Sequence, residues 1–149
     1  LDVAGLKFAR RRPIRRRMHE AHVDQLKSFY DALGRGDVDS AVDLCDPEVQ
    51  VYLNPDVVAA VPPKGHKEVA SYLHGWLDSW DKYVPRPQEF VEAGDQVVVL
   101  VELSARGRNS RFEIEDETAD VFRFADGKIV QLRLYVDRAV AQRATGLAA

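Results

Sequence analysis

The sequence holds one cysteine, Cys45, and one methionine, Met18, among 149 residues. A single cysteine excludes an internal disulfide, and in an apolar stretch it reads as a small buried hydrophobe. No apolar run approaches the roughly 18 residues that span a bilayer, so no membrane partner is expected. No apolar segment follows the N-terminal arginines as a secretory signal requires, and the expected compartment is the cytoplasm. Gly-rich phosphate loops, nucleophile elbows and dinucleotide fingerprints are missing. His66 and His74 stand eight positions apart, and no spacing of His, Cys and acids suits a metal ion. The chain is therefore expected to need neither metal nor cofactor.

What is present is an ordinary globular composition, 46% hydrophobic and 30% charged. The length fits one domain, which buries roughly 70% of its unfolded surface without covalent staples. Charge is unevenly spread. Of 21 basic and 24 acidic residues, seven basic and one acidic fall in residues 1–17, which leaves 14 basic against 23 acidic in the rest. Six arginines lie between Arg10 and Arg17. Such an arm can neutralise phosphates, but an acidic body disfavours nucleic acid as the main partner. Apolar periodicity begins only after Met18, so residues 1–17 are read as a basic arm outside the domain, and 18–149 as the domain.

Val23, Leu26, Phe29/Tyr30 and Leu33 recur at helical steps and predict a helix over 19–34, ended by Gly34 and Gly36. Asp37 caps a second, short helix. Val49, Val51 and Leu53 alternate as a strand over 48–53, closed by Asn54-Pro55. Val69, Leu73, Trp76/Leu77 and Trp80 mark a third helix over about 66–80. Pro85 and Pro87 stop it. Strands follow at 88–93, 96–105, 112–124 and 129–136, the last two joined by an Asp126-Gly127 turn. Asp137 caps a closing helix that Gly146 ends. This is an α+β chain. Successive hairpins give a curved antiparallel sheet, with three helices on its concave face and a space enclosed between them.

Four local patterns carry a resemblance: Phe29-Tyr30-Asp31-Ala32-Leu33-Gly34-Arg35-Gly36-Asp37, Gly65-His66-Lys67-Glu68, Asp120-Val121-Phe122-Arg123-Phe124-Ala125-Asp126-Gly127, and Tyr135-Val136-Asp137-Arg138. In this order they resemble SnoaL-like proteins of the nuclear-transport-factor-2-like superfamily, whose cone-shaped, cystatin-like fold is shared by ketosteroid isomerases and polyketide cyclases. The resemblance implies a homodimer formed through the outer sheet face, here Gln131, Arg133 and Tyr135 with Val121 and Arg123.

Strand alternation puts Asp120 on one face with Phe112, Ile114, Asp116, Thr118, Phe122 and Phe124. Most of these are apolar, so that face looks inward, and desolvation should raise the pKa of Asp120. Through Asp-x-Phe-x-Phe, Asp120 is similar to the aspartic acid that ketosteroid isomerases keep protonated in an oxyanion hole. The helix-1 tyrosine of those enzymes aligns with Phe29, beside Tyr30, and their general-base aspartate with Leu53. Tyr52-Leu53-Asn54 resembles the Tyr-x-Asn pair of limonene-epoxide-hydrolase-like proteins. Glu102 stands near their first aspartate once one loop residue is removed, although Val99, Val101 and Leu103 are the alternative inward face of that strand. Leu100 and Leu134 replace the arginine and the second aspartate.

Three functions stay open. One is a cofactor-independent isomerase or cyclase acting on a small apolar metabolite. Asp120, Glu102, Tyr52 and Asn54 are then the catalytic candidates, and Phe29, Tyr30, Trp76, Trp80, Phe122 and Leu134 the binding wall. Another is a non-catalytic ligand-binding or dimerisation module. The third, implied by the second resemblance, is an epoxide-hydrolase-like enzyme with an incomplete catalytic set.

Overall fold

The computed structural model describes residues 14–53 and 61–147, with side chains from residue 19 onward. Helix α1 runs Ile14–Gly34 and α2 Val38–Asp43. Strand β1 is Cys45–Leu53, α3 is Gly65–Asp78, and β2 is Trp80–Ala93. Strands β3 (Gln96–Gly107), β4 (Glu113–Ala125) and β5 (Lys128–Tyr135) follow, and α4 (Arg138–Thr145) closes the described chain. The architecture is α+β, a curved, open five-stranded sheet in the order β1-β5-β4-β3-β2 with four helices. Helix α1 starts five residues earlier than the apolar periodicity indicates. Residues 14–17 of the arm are thus helical in backbone, and residues 1–13 lie outside the described residues.

Three expectations about the sheet need correction. The sheet is mixed, because β1 pairs with β5 in parallel, Val51 opposite Leu132 and Leu53 opposite Leu134. The chain leaves β1 for α3 and returns to it only with the last strand, so the pairing is not a hairpin. Strand β2 begins at Trp80 and passes through Pro85 and Pro87. It is an edge strand, where a residue without an N–H costs little, and its register shifts between Pro87 and Glu89. Finally, the outer end of β4 is not covered. Phe112 is 80% exposed and Ile114 44%, although Phe122 and Phe124 further along the same alternation are buried.

Helices α1, α2 and α3 cover the concave face. Leu26, Phe29 and Tyr30 of α1, Val38 and Val42 of α2 and Val69 and Leu73 of α3 join Val97, Val99, Val101, Phe122 and Leu132 in one core. Cys45 is buried in that core, and burial pushes its thiol up to about 12, so it behaves as an apolar side chain. A second core lies on the convex face, where Val98, Ala119, Val121 and Tyr135 are covered by Ala141 and Val140 of α4. Val121 and Tyr135, two of the residues expected at an exposed outer interface, are therefore buried within their own chain.

Local signals set the boundaries. Asp37 caps α2 by accepting from the Ser40 backbone N–H at 3.1 Å. Asp126 and Gly127 both have positive φ, 51° and 77°, as the two-residue β4–β5 hairpin demands. Asp137 accepts from Ala139 N at 2.8 Å and opens α4. Asp137→Ala should lower stability by about 1 kcal/mol in a urea titration, the usual effect of losing an N-cap. No loss would mean that α4 is held on the convex face by its apolar contacts alone.

Candidate active site

Asp120 lies at the middle of β4, opposite Val99 of β3 and Leu134 of β5. Its face is the concave one, so its carboxyl is buried beneath the helices, 7% exposed. Tyr30 reaches it from α1. The phenol O–H donates to Asp120 Oδ2 at 2.5 Å, across 90 residues of sequence. Edge-on aromatic packing fixes the ring of Tyr30: its centroid is 5.9 Å from Phe122, which in turn lies 5.5 Å from Phe29.

Burial pushes the Asp120 carboxyl up to about 6, against the opposing pull of the Tyr30 hydrogen bond. The Tyr30 phenol is held well above its ordinary value, first by burial and then by the negative charge of Asp120. Tyr83 of β2 is also raised, by burial and by Asp120, with Trp76 acting in the opposite sense. The Trp76 N–H favours the ionised Tyr83 oxygen electrostatically but does not meet the geometry of a hydrogen bond. Nε1 of Trp76 and of Trp80 are buried without a partner among the described residues.

Two chambers meet at Asp120. The inner one holds about 30 Å³, room for about one water, among Phe29, Tyr30, Leu33, Leu73 and Tyr83. The outer one holds about 300 Å³ and is walled by Leu53, Trp76, Trp80, Tyr83, Leu103 and Leu134. Thr118, Asp116, Ile114 and Val136 carry it outward to the solvent end of the sheet. Trp76, Trp80 and Tyr83 pack against one another, with ring centroids 5.5–6.0 Å apart. This volume is at the lower end of the range for small-molecule sites. A wider, open depression of about 730 Å³ lies among Glu102, Glu115, Glu117, Asp137 and Arg138. Apart from Asp116 and Val136 at the strand ends it shares no residue with the outer chamber and has no aromatic wall, so the enclosed chamber is the better candidate.

The proposed residues divide accordingly. Phe29, Tyr30, Trp76, Trp80, Leu134 and Asp120 come together around the chambers. Phe122 stands behind them, fully buried, and shapes the floor through its ring contacts. Glu102 does not join them. It pairs with Glu117, while Val99 and Val101 are buried in the concave core, so its side chain leaves by the opposite face from Asp120. The two carboxyls do not share a cavity. Tyr52 is likewise turned away, since it pairs with Arg133 and its hydroxyl is 3.5 Å from Gln50 Oε1, whereas Val51 and Leu53 face inward. Asn54 lies outside the described residues. Two residues at the site escaped the sequence reading. Tyr83 sits just before Pro85, between the end of the expected third helix and the expected strand at 88–93. Asp116 was placed on the inward face but given no role. Strict alternation from the inward Phe90 would have turned Tyr83 outward; the register shift between Pro87 and Glu89 reverses the face, and nothing local in the sequence signals it.

Among the described residues, no group of three or more His, Cys, Asp or Glu is arranged to hold a metal ion, and no helix is long and apolar enough to cross a membrane. The chemistry that the described site offers centres on one buried carboxyl. With a pKa near 6, Asp120 can both accept and return a proton close to neutral pH. The Tyr30 bond keeps one carboxylate oxygen oriented. No hydrogen bond from a described residue reaches the other, Oδ1.

Solved structures share this fold. A nuclear-transport-factor-2-like protein of unknown function from Burkholderia pseudomallei superposes with a TM-score of 0.69 at 22% identity, covering 84% of this chain and 97% of its own. TerC, co-crystallised with polyporic acid, gives 0.68 at 17% identity over 84% and 97%. A proposed polyketide cyclase from Sinorhizobium meliloti gives 0.61 at 21% identity over 74% and 93%. No curated protein matches the sequence. The family model of the SnoaL-like domain matches residues 26–132, from the first buried leucine of α1 to the β5 leucine paired with Phe122. That span holds Tyr30 and Asp120 and most of the wall around them, and the chain belongs to the SnoaL-like domain family.

Proposed function

We propose that the protein binds a small, mostly apolar metabolite in the outer chamber and moves a proton on it with Asp120, as a cofactor-independent isomerase or cyclase. One observation carries this reading: a carboxyl raised to about 6 sits at the floor of an apolar chamber with its charge steadied by a single tyrosine. Isomerisation and aldol-type cyclisation both begin by removing a proton from carbon beside a carbonyl. Asp120 acts as the base, and Tyr30 holds it in place and stabilises its ionised form. The Tyr83 hydroxyl and the two indole N–H groups are candidate donors to the carbonyl oxygen.

A second reading has its own support. With Glu102 and Tyr52 on the opposite face, the inner site has one carboxyl and no relay, which suits a binding module that performs no chemistry. The same placements disfavour an epoxide-hydrolase-like route, which needs a carboxylate and its water-holding partners together.

The two readings part in deuterium oxide. Under the enzyme reading, the protein accelerates exchange of the α-protons of a small cyclic ketone, followed by NMR, with a rate that rises through about pH 6 as Asp120 ionises. Fluorescence gives the companion measurement, because Trp76 and Trp80 are the only tryptophans and both line the chamber. An emission shift without catalysed exchange would support the binding module and reject the enzyme. Neither response to a panel of ring ketones would reject both.

A further inference from the structure

The charged groups along the chambers are all of one sign. Asp120 stands at the floor and Asp116 near the mouth, and among the described lining residues there is no lysine, arginine or histidine. The strand that carries both aspartates is acidic around its outer end, where Glu113, Glu115, Asp116 and Glu117 occupy four of five consecutive positions. Three of the four have partners. Glu113 meets Lys82 at 3.4 Å, Glu117 meets Arg138 at 3.5 Å, and Glu115 accepts from the Ser104 hydroxyl at 2.7 Å. Asp116 meets no cation among the described residues. One of its oxygens accepts the Glu117 backbone N–H at 2.8 Å, and the side chain lines the chamber.

An acidic mouth with aromatic walls has a definite preference. It repels carboxylates and phosphates, and it attracts cations through its field. The faces of Trp76, Trp80 and Tyr83 add the attraction of a π-system for an ammonium group, strongest for tryptophan. We infer that the ligand of this chamber is an apolar amine, bound as its cation, with the nitrogen at Asp116 and the body that carries the reacting carbon directed inward toward Asp120. The assignment rests on the chamber being the ligand site, as proposed above, and adds the chemical class of what enters it.

The nitrogen belongs at the mouth for a reason of solvation. An ammonium driven to the floor loses its water and meets a carboxyl already engaged by Tyr30, and the desolvation of both ions offsets their attraction. At Asp116 the cation keeps part of its hydration while its apolar stem lies on the rings, as a long basic side chain does at a surface. Asp116 and Asp120 are four residues apart on one strand face, about 13 Å at the usual rise. A ligand anchored at the mouth therefore presents its far end to Asp120, which stays free to act as a base.

Three ligands of one skeleton test this: cyclohexylmethylamine, cyclohexylmethanol and cyclohexanecarboxylate, titrated at pH 7 against tryptophan emission. The amine should bind about ten-fold more tightly than the alcohol at low salt, and the carboxylate least. The amine's advantage should shrink at about 0.5 M sodium chloride, where exposed charges are screened. Asp116→Asn, a substitution at an exposed site that leaves the core untouched, should reduce the amine's advantage several-fold and leave the alcohol unchanged. Equal binding of amine and alcohol, or tighter binding of the carboxylate, overturns the inference and leaves the chamber as the ligand site. An amine preference untouched by Asp116→Asn overturns the placement of the nitrogen. No emission change with any of the three overturns both the inference and the reading of the chamber beneath it.

Discussion

Asp120→Asn should sharply slow any proton transfer by the protein while making it more stable above neutral pH. The sign follows from linkage. Asp120 is raised to about 6 in the folded protein from an ordinary value of 3.8, so the native state holds this proton more tightly than the unfolded chain. The resulting stabilisation is complete below the unfolded pKa and is lost as pH rises through the folded one. At pH 8 the parent carries a desolvated carboxylate at a cost on the order of 3 kcal/mol relative to its protonated form. The asparagine never ionises. Among the described donors only Tyr30 is hydrogen-bonded to the carboxyl, and an amide can turn its oxygen to that donor. The variant should therefore be more stable than the parent by roughly 1–3 kcal/mol at pH 8, and the difference should close toward pH 4. Activity should fall by about 10²–10⁴, the usual contribution of a general base. Thermal melts of both proteins between these pH values check the first part, and the exchange assay the second. A variant less stable than its parent at pH 8 would show that the ionised carboxylate is well solvated by donors, and Asp120 would then be a structural anchor.

Tyr30→Phe should act in the opposite direction on stability. The phenyl ring keeps the edge-on contacts with Phe29 and Phe122 and removes only the hydroxyl. That hydroxyl is what draws the Asp120 pKa down against burial. Without it the folded pKa moves further up, and the pH at which stability is lost moves with it. Loss of a hydrogen bond to a charged partner costs about 1.5–3 kcal/mol, and to a neutral one about 1 kcal/mol. The destabilisation should thus be larger at pH 8 than at pH 5. In the Asp120→Asn background the same change should cost only about 1 kcal/mol at either pH, because the amide keeps a neutral bond to Tyr30 and carries no charge. A cost that does not vary with pH would mean that Tyr30 stabilises the fold by packing alone. If chemistry occurs, its pH profile should shift upward in Tyr30→Phe, which a purely structural role would not produce.

Much of this was legible in the residues. The caps at Asp37 and Asp137, the Asp126-Gly127 turn and the inward direction of Asp120 are local consequences of side-chain chemistry and strand period, and the fold bears them out. What was not legible depends on distant partners. Nothing in Cys45–Leu53 announces a parallel neighbour some eighty positions later. Pro85 and Pro87 break a pattern unless the strand is known to be an edge. Glu102 and Val101 are each plausible inward residues until the register with β4 decides, and a one-residue difference reverses the face. The proposed outer interface failed at Val121 and Tyr135 because a helix of only eight residues, α4, folds back over them.

The parallel pairing of β1 with β5 also bears on how the protein comes to be. Val51 cannot meet Leu132, nor Leu53 meet Leu134, until some eighty further residues have been made. Tyr30 likewise waits for Asp120, and the Gln25 side chain for the Gly127 carbonyl, which it reaches at 2.6 Å. These are contacts of long sequence separation, whose loop-closure cost must be met before they stabilise anything. On a ribosome, the hairpins β2–β3 and β3–β4 can form while β1 still lacks its neighbour in the sheet. Leu53 and Leu134 then seal the chamber wall late, after the scaffold opposite them is in place. A chain arrested before residue 128 should present a partly formed sheet with an open β4 edge, available to chaperones and to proteases.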